Sequence, residues 1–327
     1  MRAWRFREFG DLANFRLEDV PVPQLRPGEV KIRVSFASLN PADRLLIEGR
    51  YPGAGKLPLT VGRDGSGIVD DPGDSTRFRR GDAVLVLRSD VGITRQGTLA
   101  ELVVAPEDVL APVPAHWSLE EAAAAPLVYL TAWKALVVQG GLKRSETIMV
   151  TGASGGVGVA AIQLGKALGA RVIALSRDAV KRDRLKALGA DVAIDDSATE
   201  LSSQVADACG GAGPDLIIEH LGGARLAEHV AMVNMNGRIM VIGLLSGRQS
   251  ELDMGMVLFK QVRIEGVHVG RFAPAEAQAA WSSVVSTMDA AGARPVVDKT
   301  FAFEEVPEAF ARLAGGHLGK VLVKVGG

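Results

Sequence analysis

Cysteine is almost absent from this chain of 327 residues, in which Cys209 stands alone. An intramolecular disulfide is therefore impossible, and a structural zinc site built from several cysteines is excluded. The five histidines are scattered and lack the short, paired spacing of metal ligands; they are His116, His220, His229, His268 and His317. We interpret each of them as a surface or hydrogen-bonded residue rather than a metal ligand.

An excess of either charge and a long apolar run are also missing. The 37 basic residues nearly balance the 38 acidic ones, so the net charge of −1 gives no reason to expect a nucleic acid or an acidic membrane as partner. No run reaches the ~18–20 apolar residues of a membrane span, and residues 1–5 lack the apolar core of a signal peptide. The most apolar stretch, 122–138, is interrupted by Pro126, Thr131 and Lys134 and predicts a buried helix. We therefore expect a cytoplasmic protein.

The length suits two domains of roughly 150 residues each. Residues 1–120 contain many prolines and short strand patterns, such as the alternation at 30–34, and predict a β-rich domain. Ser118 is a predicted helix N-cap. Beyond it, strand and helix patterns alternate, which predicts an α/β domain with a doubly wound parallel sheet at 121–270. Its predicted strands are 146–151, 171–175, 192–194, 215–218, 237–243 and 263–267. The remaining residues predict helices at 274–291 and 306–314 and strands at 296–298 and 321–325.

A glycine-rich turn follows the first strand of this α/β region and leads into an alanine-rich helix. Strand, glycine turn and helix in this order are typical of dinucleotide binding. We expect Gly152 to allow a sharp turn, Gly155 to admit a pyrophosphate close to the backbone, and Gly158 to let the helix pack on the strand. The expected cofactor-binding set is Gly152, Ser154, Gly155, Gly156, Val157 and Gly158. A glycine turn without a ligand is the alternative interpretation.

Several separated stretches carry a family resemblance when taken together. They are 38–43 with 49–52, 61–69, 81–84, 97–101, 130–133 and 315–321. In order and spacing, over nearly the whole chain, they resemble the zinc-free quinone oxidoreductase branch of the medium-chain dehydrogenase/reductase superfamily. The resemblance implies a GroES-like domain at 1–120, to which 271–327 return, and a Rossmann domain at 121–270. It also implies a homodimer.

The same resemblance bears on metal and cofactor. Asn40 stands where zinc-dependent relatives have a cysteine ligand, and Arg63 with Asp64 stands where they have a His-Glu pair. This set does not supply the thiolate and imidazole ligands that zinc prefers. We therefore expect no bound metal.

NADPH is the expected cofactor, in preference to NADH. By resemblance Ser176 occupies the place of the acid that reads the ribose hydroxyl, and Arg177 and Lys181 follow it. Asp178 argues against this, because it could pair with Arg177 or accept a hydrogen bond from a ribose. A solvated helix start with mixed charges is the other alternative. Further cofactor contacts implied by the resemblance are Thr131, Leu221, Gly222, Gly243, Leu244, Val267, His268, Val269 and, at the phosphates, Lys320.

The expected reaction is hydride transfer to an electron-poor carbon of a quinone or an α,β-unsaturated carbonyl. The resemblance implies Asn40, Asp43, Tyr51 and Arg63 as catalytic candidates. Asn40 could equally form a turn, Asp43 cap a helix and Tyr51 pack against the cofactor. Relatives often carry a tyrosine in the place of Leu45, so a tyrosine-proton mechanism does not follow. The open alternatives are a metal-free alcohol dehydrogenase, an enoyl reductase and a non-catalytic NADPH-binding redox sensor.

Overall fold

The computed structural model describes residues 1–87 and 90–326. The strands are β1 (Arg2–Arg5), β2 (Arg16–Asp19), β3 (Glu29–Ser38), β4 (Asp64–Asp71), β5 (Ala83–Val86), β6 (Leu102–Pro106), β7 (Leu110–Pro112), β8 (Thr147–Val150), β9 (Arg171–Leu175), β10 (Val192–Ile194), β11 (Leu216–Glu219), β12 (Arg238–Val241), β13 (Arg263–Gly266), β14 (Val297–Ala302) and β15 (Lys320–Lys324). The α-helices are α1 (Pro41–Ile47), α2 (Leu119–Ala123), α3 (Pro126–Trp133), α4 (Gly156–Ala167), α5 (Ala179–Ala187), α6 (Leu201–Ala208), α7 (Gly223–Met232), α8 (Met254–Lys260), α9 (Pro274–Ala290) and α10 (Val306–Ala314). The chain forms two compact units, one of residues 1–127, 270–282 and 294–327, the other of 128–269 and 283–293.

The first unit is built on a mostly antiparallel sheet with the order β14-β15-β3-β4-β5-β7, and β6 also pairs with β3. In β3 the side chains of Val30, Ile32 and Val34 are buried, whereas Arg33 is exposed, as the alternating pattern predicts. Strand β15 pairs antiparallel with β3. This pairing brings the C-terminal strand of the chain next to the residues that follow β3.

The second unit contains a six-stranded parallel sheet with the order β10-β9-β8-β11-β12-β13. The sequence order reverses between β8 and β11, which makes this pair the topological switch point of a doubly wound sheet. The side chains of Ile148, Met149 and Val150 are fully buried, as expected of a central parallel strand. The predicted doubly wound fold is confirmed. Because all six strands are parallel, the loops at their carboxyl ends meet at one edge of the sheet.

The expectation of one helix over 122–138 was wrong. The chain forms α2, which ends at Ala123, then α3, which begins at Pro126, and then a π-helical turn at Lys134–Val138. Proline has no N–H to continue a preceding helix and is favoured in the first turn of a new one. The N-cap at Ser118 is confirmed, because its side chain accepts a hydrogen bond from the Glu121 amide at 3.1 Å. None of the helices within 1–87 and 90–326 has both the length and the apolar character needed to cross a lipid bilayer.

Candidate functional site

The glycine turn after β8 has the geometry of an anion-binding site. Gly152 has a φ of 54°, in the left-handed region that favours glycine, and Gly155 is the N-cap of α4. A Cβ atom at Gly158 would lie 2.6 Å from the carbonyl oxygen of Ala153, so no larger residue fits there without movement. The first amides of α4 have no partner within the helix and lie at the positive end of its dipole. This arrangement suits the phosphates of a dinucleotide.

The end of β9 presents positive charge. Ser176 is buried and Arg177 is exposed; the Arg177 carbonyl accepts from Arg182 at 3.0 Å, but its guanidinium has no hydrogen bond or ion pair with any residue that the structure describes. Asp178 instead caps α5, where its carboxylate accepts from the Lys181 amide at 3.1 Å. Arg182 is bound to the Ser176 carbonyl at 2.8 Å and to Asp195 at 3.0 Å. Asp178 is thus occupied by the helix, and the Arg177 guanidinium remains available to an anion.

The loops after β11, β12 and β13 complete this edge of the sheet. The buried carboxylate of Glu219 accepts from the amides of Leu221 at 2.7 Å and Gly222 at 2.9 Å, which fixes the first loop. Burial acts to raise the pKa of Glu219, but these bonds and the contact with His229 outweigh it and hold that pKa below its ordinary value. Gly243 and the exposed Leu244 follow β12.

Four other predicted cofactor residues are partly committed to internal contacts. Val267 and Val269 are buried, and the carbonyl of His268 between them accepts a hydrogen bond from Lys134 at 3.2 Å. Thr131 is buried on α3. Their contact with a cofactor stays a prediction.

The first unit contains a cluster of buried charged and amide side chains, which we call the charge cluster: Asn40, Asp43, Arg63, Asp64 and Lys320. Lys320 Nζ donates to Asn40 Oδ1 at 2.6 Å and to the Leu39 carbonyl at 2.8 Å. Asn40 Nδ2 donates in turn to Asp64 Oδ1 at 2.9 Å. Two carboxylates and two cations thus share one buried region.

Burial strongly affects the titration of this cluster. It raises the pKa of Asp43 to about 6, against the opposing positive charge of Arg63. Burial also raises the pKa of Asp64, opposed by the Lys320 ammonium, and lowers the pKa of Lys320, opposed by Asp64 and Asp43. The charged forms therefore depend on one another.

The expected contact of Lys320 with the cofactor phosphates stays a prediction. Its side chain is buried, and its ammonium is bound to Leu39 and Asn40 within the first unit. The reason is the pairing of β15 with β3, which places Lys320 beside the residues after β3. Lys320 thus supplies one of the two cations of the charge cluster.

The places of zinc ligands do not hold a metal-binding set. Asn40 Oδ1 already accepts from Lys320, and the Asp64 carboxylate accepts from Asn40 and from the Leu127 amide at 3.3 Å. No group of three or more His, Cys, Asp or Glu side chains within 1–87 and 90–326 could hold a metal ion. An ammonium bound to one of these donors, and a guanidinium at the next position, do not fit a zinc centre.

The catalytic candidates Asp43 and Arg63 belong to the charge cluster, and Tyr51 packs against it. Asp43 caps α1, because its Oδ2 accepts from the Asn40 amide at 2.8 Å, while its Oδ1 has no hydrogen bond from the described residues. The Arg63 guanidinium lies 5.0 Å above the centre of the Tyr51 ring, and Arg63 Nε is buried without a described partner. A stacked guanidinium with an unused donor can bind an oxygen of a substrate.

Two histidines of the second unit are buried, and one of them departs from the prediction. His229 is buried and its Nδ1 lies 2.5 Å from Glu219 Oε2, so it is a hydrogen-bonded residue as expected. His220 is buried, but neither ring nitrogen has a partner among the described residues, which corrects our interpretation of it. The signal in the sequence was its position two residues after the predicted strand 215–218.

Comparison with known proteins assigns the family. Residues 26–115 match the alcohol dehydrogenase GroES-like domain and residues 156–290 match the zinc-binding dehydrogenase family. A mitochondrial NAD(P)H oxidoreductase of Danio rerio is 32% identical, over 99% of this chain and 91% of the relative. This chain belongs to the medium-chain dehydrogenase/reductase superfamily.

Further relatives and solved structures are similar to this chain over nearly its whole length. A zinc-type alcohol dehydrogenase-like protein of Schizosaccharomyces pombe is 30% identical over 97% of each chain, and the quinone oxidoreductase of Homo sapiens is 28% identical over 99% of this chain and 97% of the relative. Among solved structures, an NAD-dependent alcohol dehydrogenase superposes with a TM-score of 0.92 at 32% identity and covers both chains completely. A mycobacterial protein complexed with NADPH superposes with a TM-score of 0.89 at 26% identity, over 99% of this chain and 100% of the neighbour. The two-domain fold and the superfamily follow from these likenesses.

Proposed function

We propose that this oxidoreductase is an NADPH-dependent, zinc-independent enzyme that transfers hydride to quinones or α,β-unsaturated carbonyls. The observation that carries the cofactor choice is the end of β9. Ser176 occupies the place of the ribose-binding acid, and the Arg177 guanidinium is exposed with no described partner. A guanidinium beside a small hydroxyl residue suits a 2′-phosphate, whereas an acid there would repel it.

NADPH would be held by residues of the second unit. The amides at the start of α4 would bind the pyrophosphate, and Arg177 with Lys181 would bind the 2′-phosphate. Leu221, Gly222, Gly243 and Leu244 would line the same edge of the sheet. When bound, the nicotinamide supplies the hydride.

Zinc independence is supported by the chemistry of the charge cluster. A metal acting on an alcohol oxygen would have to displace the Lys320 ammonium from Asn40. An acceptor that is already electron-poor needs no such metal, because hydrogen bonds can stabilise the oxygen that gains charge. We propose that Arg63 donates to that oxygen and that Tyr51 holds the guanidinium in place. Asn40 and Asp43 would act as positioning residues.

We further propose a cytoplasmic homodimer. Among the described strands β13 lies at the edge of its sheet, and Leu258 and Phe259 of the preceding helix α8 are exposed. Sedimentation velocity on the purified protein should give the mass of two chains, and the mass of one chain would contradict the proposal.

The test of function is the oxidation of NADPH in the presence of benzoquinone, phenanthrenequinone and small enones. We expect turnover with at least one of these acceptors, little or no oxidation of simple alcohols with NADP⁺, and no loss of activity after treatment with a chelator. Tight NADPH binding without turnover of any acceptor would favour the redox sensor. Loss of activity on chelation would contradict zinc independence.

The cofactor argument is tested by Arg177→Ala. Loss of a charge-assisted hydrogen bond should lower kcat/KM for NADPH by roughly 10- to 100-fold and leave the value for NADH nearly unchanged. The matched control is Arg184→Ala, which removes an exposed arginine on α5 and should change neither value. An unchanged ratio of NADPH to NADH activity in Arg177→Ala would show that the cofactor argument is wrong.

A further inference from the structure

His220 lies at the switch point of the parallel sheet. It directly follows β11, and its amide donates to Thr151 Oγ1, just after β8, at 2.8 Å. Its side chain packs against the glycine turn: a Cβ atom built on Gly152 would lie 3.2 Å from His220 Cβ and 3.8 Å from Nδ1. The backbone thus holds the imidazole between the ends of β8 and β11.

Neither nitrogen of this imidazole makes a hydrogen bond of standard geometry to a residue that the structure describes. The His220 side chain is more than nine-tenths buried, and neither Nδ1 nor Nε2 has a hydrogen-bond partner among residues 1–87 and 90–326. A buried polar group without a partner is energetically costly. Burial also lowers the pKa of His220, opposed by the charge of Glu219 and by the nearby backbone of Thr151 and Ile218, and this favours the neutral ring with one N–H and one lone pair. A buried ring without hydrogen bonds is expected where a bound ligand supplies the missing partner.

The position of the ring indicates which part of a ligand it meets. In open parallel sheets ligands bind outside the carboxyl ends of the strands at the switch point, and the phosphates lie at the start of the helix that follows the first strand. That helix is α4, and the turn that leads into it is the one His220 touches at Gly152. The adenine end and its 2′-phosphate, in contrast, are expected at the end of β9.

We propose that His220 is a cofactor-binding residue that donates a hydrogen bond to the pyrophosphate of the dinucleotide, opposite the amides of α4. The inference rests on the proposed function, in that a dinucleotide must bind, but it holds for NADPH and NADH alike. It adds a side-chain donor to a site that otherwise consists of backbone amides. An N–H donated to an anionic oxygen is of the stronger, charge-assisted kind.

The test measures dissociation constants by calorimetry for three ligands and three proteins. The ligands are NADP⁺, 2′-phospho-ADP-ribose, which keeps the pyrophosphate but lacks nicotinamide, and adenosine 2′-monophosphate, which lacks the pyrophosphate. The proteins are the wild type, His220→Phe, which keeps a planar ring without a donor, and His220→Gln, which keeps an N–H donor. Thermal unfolding of each variant checks that it is folded.

We expect His220→Phe to weaken NADP⁺ and 2′-phospho-ADP-ribose by roughly 10-fold or more, equal to about 1.4 kcal/mol per tenfold change. Adenosine 2′-monophosphate should bind as in the wild type, and His220→Gln should recover most of the lost affinity. In the wild type, NADP⁺ should also shift the ring nitrogen resonances that are absent from the His220→Phe spectrum.

Other results would overturn the inference. Weaker NADP⁺ with unchanged 2′-phospho-ADP-ribose would place the contact at the nicotinamide half, and equal weakening of all three ligands would indicate a structural role. Unchanged binding of all three would show that His220 makes no contact. Should the wild type bind no dinucleotide, the proposed function itself fails, an outcome distinct from normal binding by His220→Phe.

Discussion

The charge cluster of the first unit and the glycine turn of the second handle charge by different means. In the charge cluster, buried side chains of opposite sign satisfy one another, as Lys320 does with Asn40 and, through it, Asp64. At the glycine turn, backbone amides and a helix dipole are left open toward a ligand, and the absence of side chains is what matters. The charge cluster should therefore be sensitive to the loss of a charge, and the glycine turn to the gain of a methyl group.

The largest expected effect follows from removing the buried cation with Lys320→Met. The variant leaves Asp64 buried without its compensating charge, so the free energy of unfolding should fall by about 3–5 kcal/mol. Urea unfolding followed by tryptophan fluorescence is a suitable measurement, since Trp4, Trp117 and Trp281 belong to the first unit.

The matched control is Lys186→Met, because Lys186 is half exposed in an ion pair with Asp183 at 3.6 Å. This change should stay within about 0.5 kcal/mol. Adding Asp64→Asn to Lys320→Met should recover part of the loss, since the unpaired charge is then removed as well. Equal effects of the two lysine variants would mean that the charge cluster is not electrostatically coupled.

A second effect concerns the pH dependence that Asp43 confers on the same unit. Its pKa of about 6 in the folded protein exceeds the ordinary 3.8, so the folded state holds the proton more tightly. The stability that this gives is complete below pH 3.8 and is lost as the pH rises through 6. Asp43→Asn lacks this dependence.

The unfolding free energy of Asp43→Asn relative to the wild type should therefore increase between pH 4 and pH 7. The increase should be about 1–3 kcal/mol, from a shift of about two pKa units. Urea unfolding of both proteins at several pH values measures it. A difference that stays constant or decreases over this range would contradict the raised pKa.

The smallest effect tests the glycine turn with two alanine substitutions. Gly158→Ala places a Cβ 2.6 Å from the Ala153 carbonyl oxygen and should cost about 1–3 kcal/mol of stability. Gly155→Ala meets only the Gly152 carbonyl oxygen at 3.4 Å, so stability should barely change. Its methyl group should nevertheless weaken NADP⁺, if a pyrophosphate approaches the backbone there. A stable, normally binding Gly155→Ala would contradict that approach.

Much of the fold could be predicted from the sequence because it depends on local patterns. Strands β9 and β10 and helix α10 lie at the residues predicted for them, and the N-cap at Ser118 is present. Apolar runs, cap residues and glycine turns act over a few residues, so a short window contains the information. The interruption between α2 and α3 at Pro126 is also a local feature, but the apolar composition of 122–138 led to the prediction of one helix.

The side-chain contacts at the two candidate sites could not be predicted from local sequence patterns. Lys320 and Asn40 are 280 residues apart, and their contact depends on the register of β15 against β3. No local pattern reports which buried polar group is left without a partner, as His220 is. Hydrogen bonding at such positions depends on the packing of several strands at once.

The sequence by itself determined that a β-rich part precedes a doubly wound parallel sheet with a glycine turn, because these features follow from backbone preferences and periodic burial. It also placed Ser176 and Arg177 at the end of one strand. Only the tertiary structure decided that Lys320 enters the charge cluster and that His220 faces the glycine turn. Strand pairing between distant segments brings these groups together. The low dielectric of the interior then strengthens the electrostatic interactions between them.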